Sequence, residues 1–596
     1  MKKLWVFILA GVLAAAALFI FFPPIRFMLP LAGRGVVEVI TLPRDLYRER
    51  PPESLIPARA GLMIRVRSGT YIWGKLVGSR TFRELTVLPV WREEEIEERL
   101  EAARREFEDR TGFRIDRSRI MEVAGEDIAL AVIPPAEFSP AALFAVARLG
   151  VRARLTEIVL RLGDSLKDDG DRILREEKYR GETVVSIPPG ENFPLETAYS
   201  VIDGTLVLAV SASARFLIEE AIDLARGEGE PLGGSPEYAA ALGEDGLPAA
   251  TLFEFFLSPA RFRGGLEEGL PPGIAAEAAA WGETLVHSLD ACRLFGCRAG
   301  YRYREGIQAR IRCVLREARL AEYSFPPPGR HSPLPAGEMC CWYFTADPAL
   351  IGESLAEALV SLGVQEESGD FPGLGGWERE SGLSVRRDIL PVLGDNWSLV
   401  LAGLSGEEFL PIPPFALSNR VADREGAEAA LKKAAAWVVL FRGLTPVREV
   451  YRGVEITSFP GLFFTEPGYA LTDEELLIGG PRAQIEKLID LRAGERPALE
   501  NDPVFRRMIS SFEPDPEFLG YLEGPTFFSS LRSAAEWYFA YQRLAPEEPL
   551  ISEIAYQAKF LPLLELLRPL RRGAAALTRE KNIVKIDLFL YIPGSD

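Results

Sequence analysis

The chain has 596 residues, of which 47% are hydrophobic and 26% are charged, with a net charge of −18. These proportions are typical of globular proteins, the length predicts about three to four domains, and the negative charge disfavours a nucleic-acid partner, since phosphate binding depends on lysine and arginine. Only two histidines occur, His287 and His331, so any histidine-based catalytic or metal site would need one of them.

The N-terminal segment has the pattern of a membrane anchor. Lys2-Lys3 precede an apolar run from Leu4 to Phe22, which as a helix would be about 28 Å long, close to the thickness of a bilayer core. Pro23-Pro24 ends the run, and the positive charges before it favour an N-terminus in the cytoplasm. A signal peptide cleaved near the small residues at 14–16 is the alternative. We expect 1–22 to be a cytoplasmic tip and single-pass anchor in the inner membrane, with the bulk of the chain extracytoplasmic.

The remainder divides into a stalk and two similar units. Residues 23–56 are rich in proline and arginine and are predicted to form a stalk or linker. The units are expected at 57–325 and 333–596. Residues 326–332 lie between them and begin Pro-Pro-Pro-Gly, which suits neither a helix nor a sheet interior. This segment is therefore predicted to be a proline-rich linker.

Matching hairpin motifs indicate the duplication. Tyr179-Arg180-Gly181 and Tyr451-Arg452-Gly453 each open a strand-like stretch that ends in proline. Asp203-Gly204 in the first unit and Asp473-Glu474 in the second lie between apolar runs. Asp-Gly between alternating segments predicts a β-hairpin. The shared order of these motifs predicts that the two units superpose as copies of one fold.

An amphipathic helix follows the hairpins in each unit. Its apolar face comprises Ile218, Ala221, Ile222 and Ala225 in the first unit, and Ile485, Leu488 and Ile489 in the second. Gly227 and Gly494 are expected to end these helices, and Ser235-Pro236 and Asp502-Pro503 to begin the next ones with an N-cap followed by proline. The same spacing of 267 residues separates both the two glycines and the two prolines. Such regular spacing indicates duplication of the whole unit.

These motifs also carry a family resemblance. The order is Tyr-x-Gly, then Ala-Tyr-x-Val-x-Asp-Gly-x-Leu-Val-Leu, then an amphipathic helix, then a small residue followed by Pro-x-aromatic. It resembles the bacterial domain-of-unknown-function family numbered 3352, over most of 57–596 and most clearly at 179–262 and 451–527. Glu474 departs from the pattern, because the family has glycine there. The resemblance implies a single-span extracytoplasmic protein with such repeats, and it brings no known activity or site residue.

The predicted fold class is α+β. We expect an N-terminal transmembrane helix followed by two tandem copies of a mostly antiparallel sheet covered by helices. Hairpin signals dominate the pattern, and strands and helices do not alternate regularly enough for a doubly wound parallel sheet.

Three motifs suggest a catalytic or ligand-binding site, but each lacks a part that the chemistry needs. Residues 69–75 have Walker A spacing, but Leu76 replaces the Ser or Thr that would hold magnesium. Ser165 lies in a block like that of GDSL-type esterases, but it follows a helical stretch, and His287 lacks the Asp-x-x-His pattern. The acidic residues within 168–171 lack the spaced ligands of a calcium loop. We therefore expect no catalytic, cofactor-binding or metal-binding residue.

The cysteines leave one question open. They are Cys292, Cys297, Cys313, Cys340 and Cys341, and no pair has the CxxC spacing of a zinc ribbon or thioredoxin-like site. Cys292 and Cys297 could form a local disulfide in an oxidising compartment or remain buried thiols. Cys340 and Cys341 alternate across a strand, so at most one is expected to face the core.

Three classes of function remain. The first expectation is a membrane-anchored, non-enzymatic envelope protein that acts as a scaffold or binds a partner protein. The alternative is a carrier or binding protein for a lipid or other apolar ligand, and a hydrolase ranks third. The expected partners are the membrane, through Leu4 to Phe22, and an envelope protein or apolar ligand, with no cofactor and no nucleic acid.

Overall fold

The structure is a computed structural model. It describes residues 51–67, 127–135, 141–148, 175–189, 195–243, 247, 250–262, 292–302, 306–317, 333–361, 374–404, 412–461, 466–544, 556–557, 561 and 570–592. The predicted anchor at 1–22, most of the predicted stalk and the linker at 326–332 lie outside these residues. Within the described residues, no helix is long and apolar enough to span a bilayer.

The described residues form 20 strands and eight α-helices. The strands are β1 (Leu62–Arg67), β2 (Asp127–Ile133), β3 (Ala142–Arg148), β4 (Arg175–Tyr179), β5 (Glu182–Ile187), β6 (Glu196–Ile202), β7 (Thr205–Ser211), β8 (Ala250–Leu257), β9 (Cys292–Arg302), β10 (Gly306–Leu315), β11 (Cys340–Thr345), β12 (Leu393–Leu401), β13 (Phe415–Val421), β14 (Val447–Tyr451), β15 (Val454–Ser458), β16 (Gly468–Leu471), β17 (Glu475–Gly480), β18 (Phe518–Glu523), β19 (Arg572–Glu580) and β20 (Ile583–Tyr591). The helices are α1 (Ala214–Ala225), α2 (Pro236–Leu242), α3 (Pro348–Ser361), α4 (Gly375–Ser381), α5 (Arg424–Arg442), α6 (Arg482–Arg492), α7 (Pro503–Ile509) and α8 (Gly524–Leu544).

All 20 strands belong to one antiparallel sheet. Across the first unit the strands hydrogen-bond in the order β4-β5-β6-β7-β3-β2-β1-β8-β9-β10. The second unit continues the sheet as β20-β19-β18-β11-β12-β13-β17-β16-β15-β14. Counted outward from the junction, the two units therefore have the same strand order.

This architecture corrects the predicted fold class. The α+β arrangement of two tandem helix-covered sheets is wrong, because the structure has one large antiparallel sheet with few helices. The halves join where β10 pairs with β20, from Gly306 opposite Tyr591 to Val314 opposite Ile583. Pairing between strands so far apart in sequence leaves no local pattern, so periodicity alone could not reveal that the sheets merge.

The hairpin turns agree with the local sequence signals. Arg180-Gly181 has φ angles of 49° and 95°, and Arg452-Gly453 has 51° and 83°. Asp203-Gly204, between β6 and β7, has 48° and 76°. Positive φ at both central residues matches the twist of antiparallel strands, so the prediction of a hairpin at Asp203-Gly204 is confirmed.

The equivalent turn of the second unit, between β16 and β17, is stabilised in a different way. Glu474 occupies the position of Gly204 in the first unit, and Thr472 stabilises the turn with hydrogen bonds. The backbone N–H of Glu475 donates to the Thr472 hydroxyl at 2.9 Å, and the N–H of Thr472 donates to the Glu475 carbonyl at the same distance. A side-chain hydrogen bond thus replaces the backbone freedom of glycine at this position.

Helices α1 and α6 pack against the strands of their own units, and the residues that the periodicity predicted for their apolar faces are buried. Ile218 and Ile222 of α1 are fully buried on the first unit, and Ile485 of α6 is fully buried on the second. Burying each such side chain contributes about 1.5–3 kcal/mol. Leu55 and Ile56 are also buried, so the core of the first unit includes residues of the predicted stalk.

The next helix in each unit begins with the predicted N-cap. Ser235 accepts a hydrogen bond from the N–H of Tyr238 at 3.1 Å. Asp502 accepts from the N–H groups of Val504 at 2.7 Å and Phe505 at 3.0 Å, and its carboxylate also pairs with Arg572 at 2.9 Å. Burial disfavours ionisation of Asp502, but these donors outweigh that effect and lower its pKa.

These caps give a pH-dependent prediction. Asp502→Ala is expected to lower the free energy of unfolding by about 1–2 kcal/mol at neutral pH. The difference should shrink as the pH falls through the lowered pKa of Asp502, because protonation removes the same interactions from the wild type. Ser235→Ala is the control, since serine does not titrate and its cost should stay constant. Urea unfolding of the detergent-purified chain at neutral and acidic pH measures both, and a pH-independent cost of Asp502→Ala would contradict the prediction.

Candidate functional site

The two units differ in charge at one buried position of the sheet. In the first unit, Arg65 of β1 is only 3% exposed and lies among three carboxylates. It donates to Asp127 at 2.8 and 2.6 Å and to Glu254 at 3.3 Å, and it also binds Glu53. Burial disfavours the charge of Arg65, but these carboxylates outweigh it and raise its pKa. An ion-pair cluster therefore fills this part of the first unit.

The second unit has neutral residues at the equivalent positions. Arg65 lies opposite Glu254 in the sheet, and Tyr343 of β11 lies opposite Leu519 of β18 in the same way. The Tyr343 hydroxyl donates to the side-chain oxygen of Asn396 at 3.0 Å, where the first unit has the bond from Arg65 to Asp127. A guanidinium with its carboxylates has thus been replaced by a phenol, an amide and a leucine.

A pocket lies beside these neutral residues. Its volume is about 570 Å³. The residues that line it include Tyr343, Leu519, Leu334, Ala498 and Ile509. Residues 512–516, between α7 and β18, line its remaining side. The lining is mainly apolar, so the pocket suits an apolar molecule more than a strongly hydrated one.

Glu500 supplies a carboxyl group to the pocket lining. Its Oε1 accepts a hydrogen bond from the N–H of Leu334 at 3.2 Å, while its Oε2 is buried and accepts no hydrogen bond from the part of the chain that the structure describes. Burial raises the pKa of Glu500. The equivalent residue of the first unit is Gly233, where an added Cβ would lie 2.7 Å from Cγ of Glu53. The first unit thus uses this space for Glu53, and the second unit uses it for the carboxyl of Glu500.

The pocket loop is held by residues from both units. Arg310 of β10 donates to the Ser511 carbonyl at 3.3 Å and to Asp587 of β20 at 2.6 Å. Asp587 in turn accepts from the N–H of Glu513 at 3.1 Å, and Lys585 donates to the Glu513 carboxylate at 3.3 Å. The pocket is therefore tied to the strand pair that joins the two halves of the sheet.

The cysteines are arranged differently from both alternatives. Cys292 is bonded to Cys313 on the neighbouring strand, and Cys297 is a buried free thiol. Cys340 and Cys341 alternate across β11, and both are fully buried. Of the two, Cys341 belongs to the main hydrophobic core of the second unit. Burial raises the pKa of Cys297 and of Cys340 to about 12, so these thiols stay protonated at neutral pH.

The other motifs of the sequence analysis lie outside the described residues. These are the segments 69–76 and 168–171 together with Ser165, His287 and His331. Within the described ranges, no group of three or more His, Cys, Asp or Glu residues could hold a metal ion. The sequence analysis missed the pocket, and the one available signal was the presence of Tyr343 and Glu500 where the first unit has Arg65 and Gly233.

No protein-family model, curated protein or solved structure matches this chain in the comparisons. The resemblance to family 3352 therefore stays a prediction, and the functional argument depends on the geometry of the chain itself.

Proposed function

We propose that this protein is a non-enzymatic binding protein that holds a small apolar ligand in the pocket of its second unit. The observation that carries the proposal is the substitution of the Arg65 ion-pair cluster by the neutral Tyr343, Asn396 and Leu519 beside a cavity of about 570 Å³. Small-molecule sites in proteins have volumes of about 300–1,000 Å³ and mostly apolar linings. The first unit fills the equivalent space with the Arg65 cluster and Glu53. Because stability alone would not require the second unit to lose this arrangement, the open pocket supports a binding role.

The proposed setting is the outer side of the inner membrane, with the N-terminal run as a single-pass anchor. Lys2-Lys3 before the apolar run from Leu4 to Phe22 supports this orientation. The disulfide between Cys292 and Cys313 supports an oxidising compartment, since such bonds persist mainly outside the cytoplasm. A protein anchored there would meet lipids and other apolar molecules of the envelope.

Blocking the pocket should weaken ligand binding. Ala498 lines the cavity, so Ala498→Phe places a ring in the space that a ligand would use. We expect the affinity for the neutral fluorophore N-phenyl-1-naphthylamine to fall roughly tenfold or more, which corresponds to about 1.4 kcal/mol. Fluorescence titration of the detergent-purified chain, extrapolated to zero detergent, measures this change.

The matched control is Ala493→Phe. Ala493 is exposed at the end of α6 and is not part of the pocket lining. This variant should bind the fluorophore as the wild type does, and both variants should keep the wild-type melting temperature. Equal affinity in the Ala498 and Ala493 variants would overturn the proposal, because the fluorophore would then bind elsewhere.

A scaffold or partner-binding role is the second candidate. The C-terminal turn of α5 exposes Leu440 to 77% and Phe441 to 52% of their full areas. Adjacent exposed apolar side chains of this size can mark a contact surface. Self-association of the purified chain that Leu440→Glu abolishes would favour this role over ligand binding.

A further inference from the structure

The charges that line the pocket are all of one sign. Glu500, Glu513 and Asp515 contribute carboxyl groups, and no lysine, arginine or histidine is among the described residues of the lining. An anionic head group in an apolar cavity would face these carboxylates without a compensating cation. A fatty-acid carboxylate is therefore a poor occupant, although its tail would suit the walls.

Only one of these carboxyl groups is both sheltered and without a cation among the described residues. Glu513 is paired with Lys585 at 3.3 Å and with Arg310 at 3.6 Å. Asp515 is exposed to solvent, which screens its charge. Glu500 has a buried Oε2 that accepts no hydrogen bond. A ligand atom that donates to this oxygen would satisfy an acceptor that the protein leaves unpaired.

We infer that the ligand is an apolar molecule with one ammonium group, and that this group donates a hydrogen bond to Oε2 of Glu500. The inference rests on the proposed function, because it assigns the head group of the ligand that the same pocket would hold. Charge-assisted hydrogen bonds between an ammonium and a carboxylate are about twice as strong as neutral ones. The tail would lie against Ala498, Ile509 and Leu519, which are among the apolar lining residues.

The protonation of Glu500 determines how the affinity for an ammonium ligand changes with pH. Burial raises the pKa of Glu500, so part of the protein is protonated where an ordinary glutamate would be ionised. An ammonium ligand binds the ionised form and therefore loses affinity as the pH falls through this raised pKa. Among the residues that the structure describes, the other charged or titratable groups at the pocket are Glu513 and Asp515 from the loop and Tyr343 from β11, and Lys585 and Arg310 pair with Glu513.

Three probes with the same tail test the head group: octylamine, octanol and octanoate. Each is titrated against bound N-phenyl-1-naphthylamine on the detergent-purified full chain. We expect octylamine to bind roughly tenfold tighter than octanol, which is about 1.4 kcal/mol, and octanoate to bind most weakly. Glu500→Gln keeps the side-chain shape and should remove the advantage of octylamine while leaving octanol unchanged.

The controls separate this inference from the proposed function. Asp473→Asn removes an exposed carboxylate that is not part of the pocket lining and should leave the order of the probes unchanged. If Glu500→Gln has a lowered melting temperature, Glu500→Ala is used in its place, and it should likewise lose the preference for octylamine. Equal binding of octylamine and octanol, or tightest binding of octanoate, would overturn the ammonium assignment and leave the pocket proposal standing. Failure of all three probes and of the fluorophore to bind would overturn both.

Discussion

Replacing Arg65 with methionine is expected to destabilise the first unit by about 3–5 kcal/mol. Arg65 is 3% exposed, and the carboxylates of Glu53, Asp127 and Glu254 all lie against its guanidinium. Methionine has a similar length but no charge, so the substitution removes the one cation that contacts all three carboxylates and leaves only Arg67 and Arg298 beside Glu254. Their mutual repulsion and poor solvation in the buried site provide the expected loss.

The control for this prediction is an ion pair nearer the surface. Arg59 pairs with Glu220, and the two side chains are 40% and 32% exposed. Arg59→Met should cost at most about 1 kcal/mol, because water solvates the carboxylate that remains. Urea unfolding of the full chain in detergent, followed by tryptophan fluorescence and circular dichroism, measures both variants. An Arg65→Met variant no less stable than Arg59→Met would show that the cluster contributes little to stability.

A second variant tests whether the neutral residues of the second unit can replace the cluster. Arg65→Tyr, Asp127→Asn and Glu254→Leu introduce the side chains of the equivalent positions, and Glu53→Gln removes the remaining charge. This variant should recover part of the stability that Arg65→Met loses, since replacing a buried cation together with its carboxylates removes their repulsion. Recovery is incomplete because Arg67 and Arg298 lose Glu254 as a partner. A loss as large as that of Arg65→Met would contradict the equivalence of the two sites.

The sequence predicted the elements whose determinants are close together in the chain. The Asp203-Gly204 turn, the buried face of α1 and the N-caps Ser235 and Asp502 were all found where the pattern placed them. Each depends on side chains within a few residues of one another: a positive φ at a turn, a helical period of 3.6, or an oxygen beside the first helical N–H. Such features persist in one sequence without any knowledge of the tertiary fold.

The features that the sequence did not predict depend on distant residues. The pairing of β10 with β20 joins parts of the chain that share no local pattern, and it turned two expected sheets into one. Arg65 and Glu254 are neighbours only because β1 pairs with β8. The pocket could be recognised only after the strand pairing had placed Tyr343 at the position of Arg65. Alignment of the two units shows that Glu500 replaces Gly233. That this carboxyl group lines a pocket could be recognised only from the packing around it.

A large loss of stability is also expected when the buried ion pair between β10 and β20 is broken. Arg310 is 8% exposed, Asp587 is 1% exposed, and the two side chains form a hydrogen bond of 2.6 Å across the β10–β20 pair. Arg310→Met leaves a buried carboxylate, and Asp587→Leu leaves a buried guanidinium. Each single variant is expected to lower the free energy of unfolding by about 3–5 kcal/mol. The double variant should cost less than either single one, because it removes both charges together.

The same variants should weaken ligand binding at the pocket, which neither side chain lines. Arg310 holds the Ser511 carbonyl and Asp587 holds the N–H of Glu513, so both anchor the loop at 512–516. We expect the affinity for N-phenyl-1-naphthylamine to fall several-fold in either single variant below its unfolding transition. Arg452→Met is the control, since Arg452 pairs with Asp490 at a partly exposed site on the far hairpin. If the junction variants lose stability but keep full affinity, other contacts fix the loop. The pocket would then not depend on the pairing of β10 with β20.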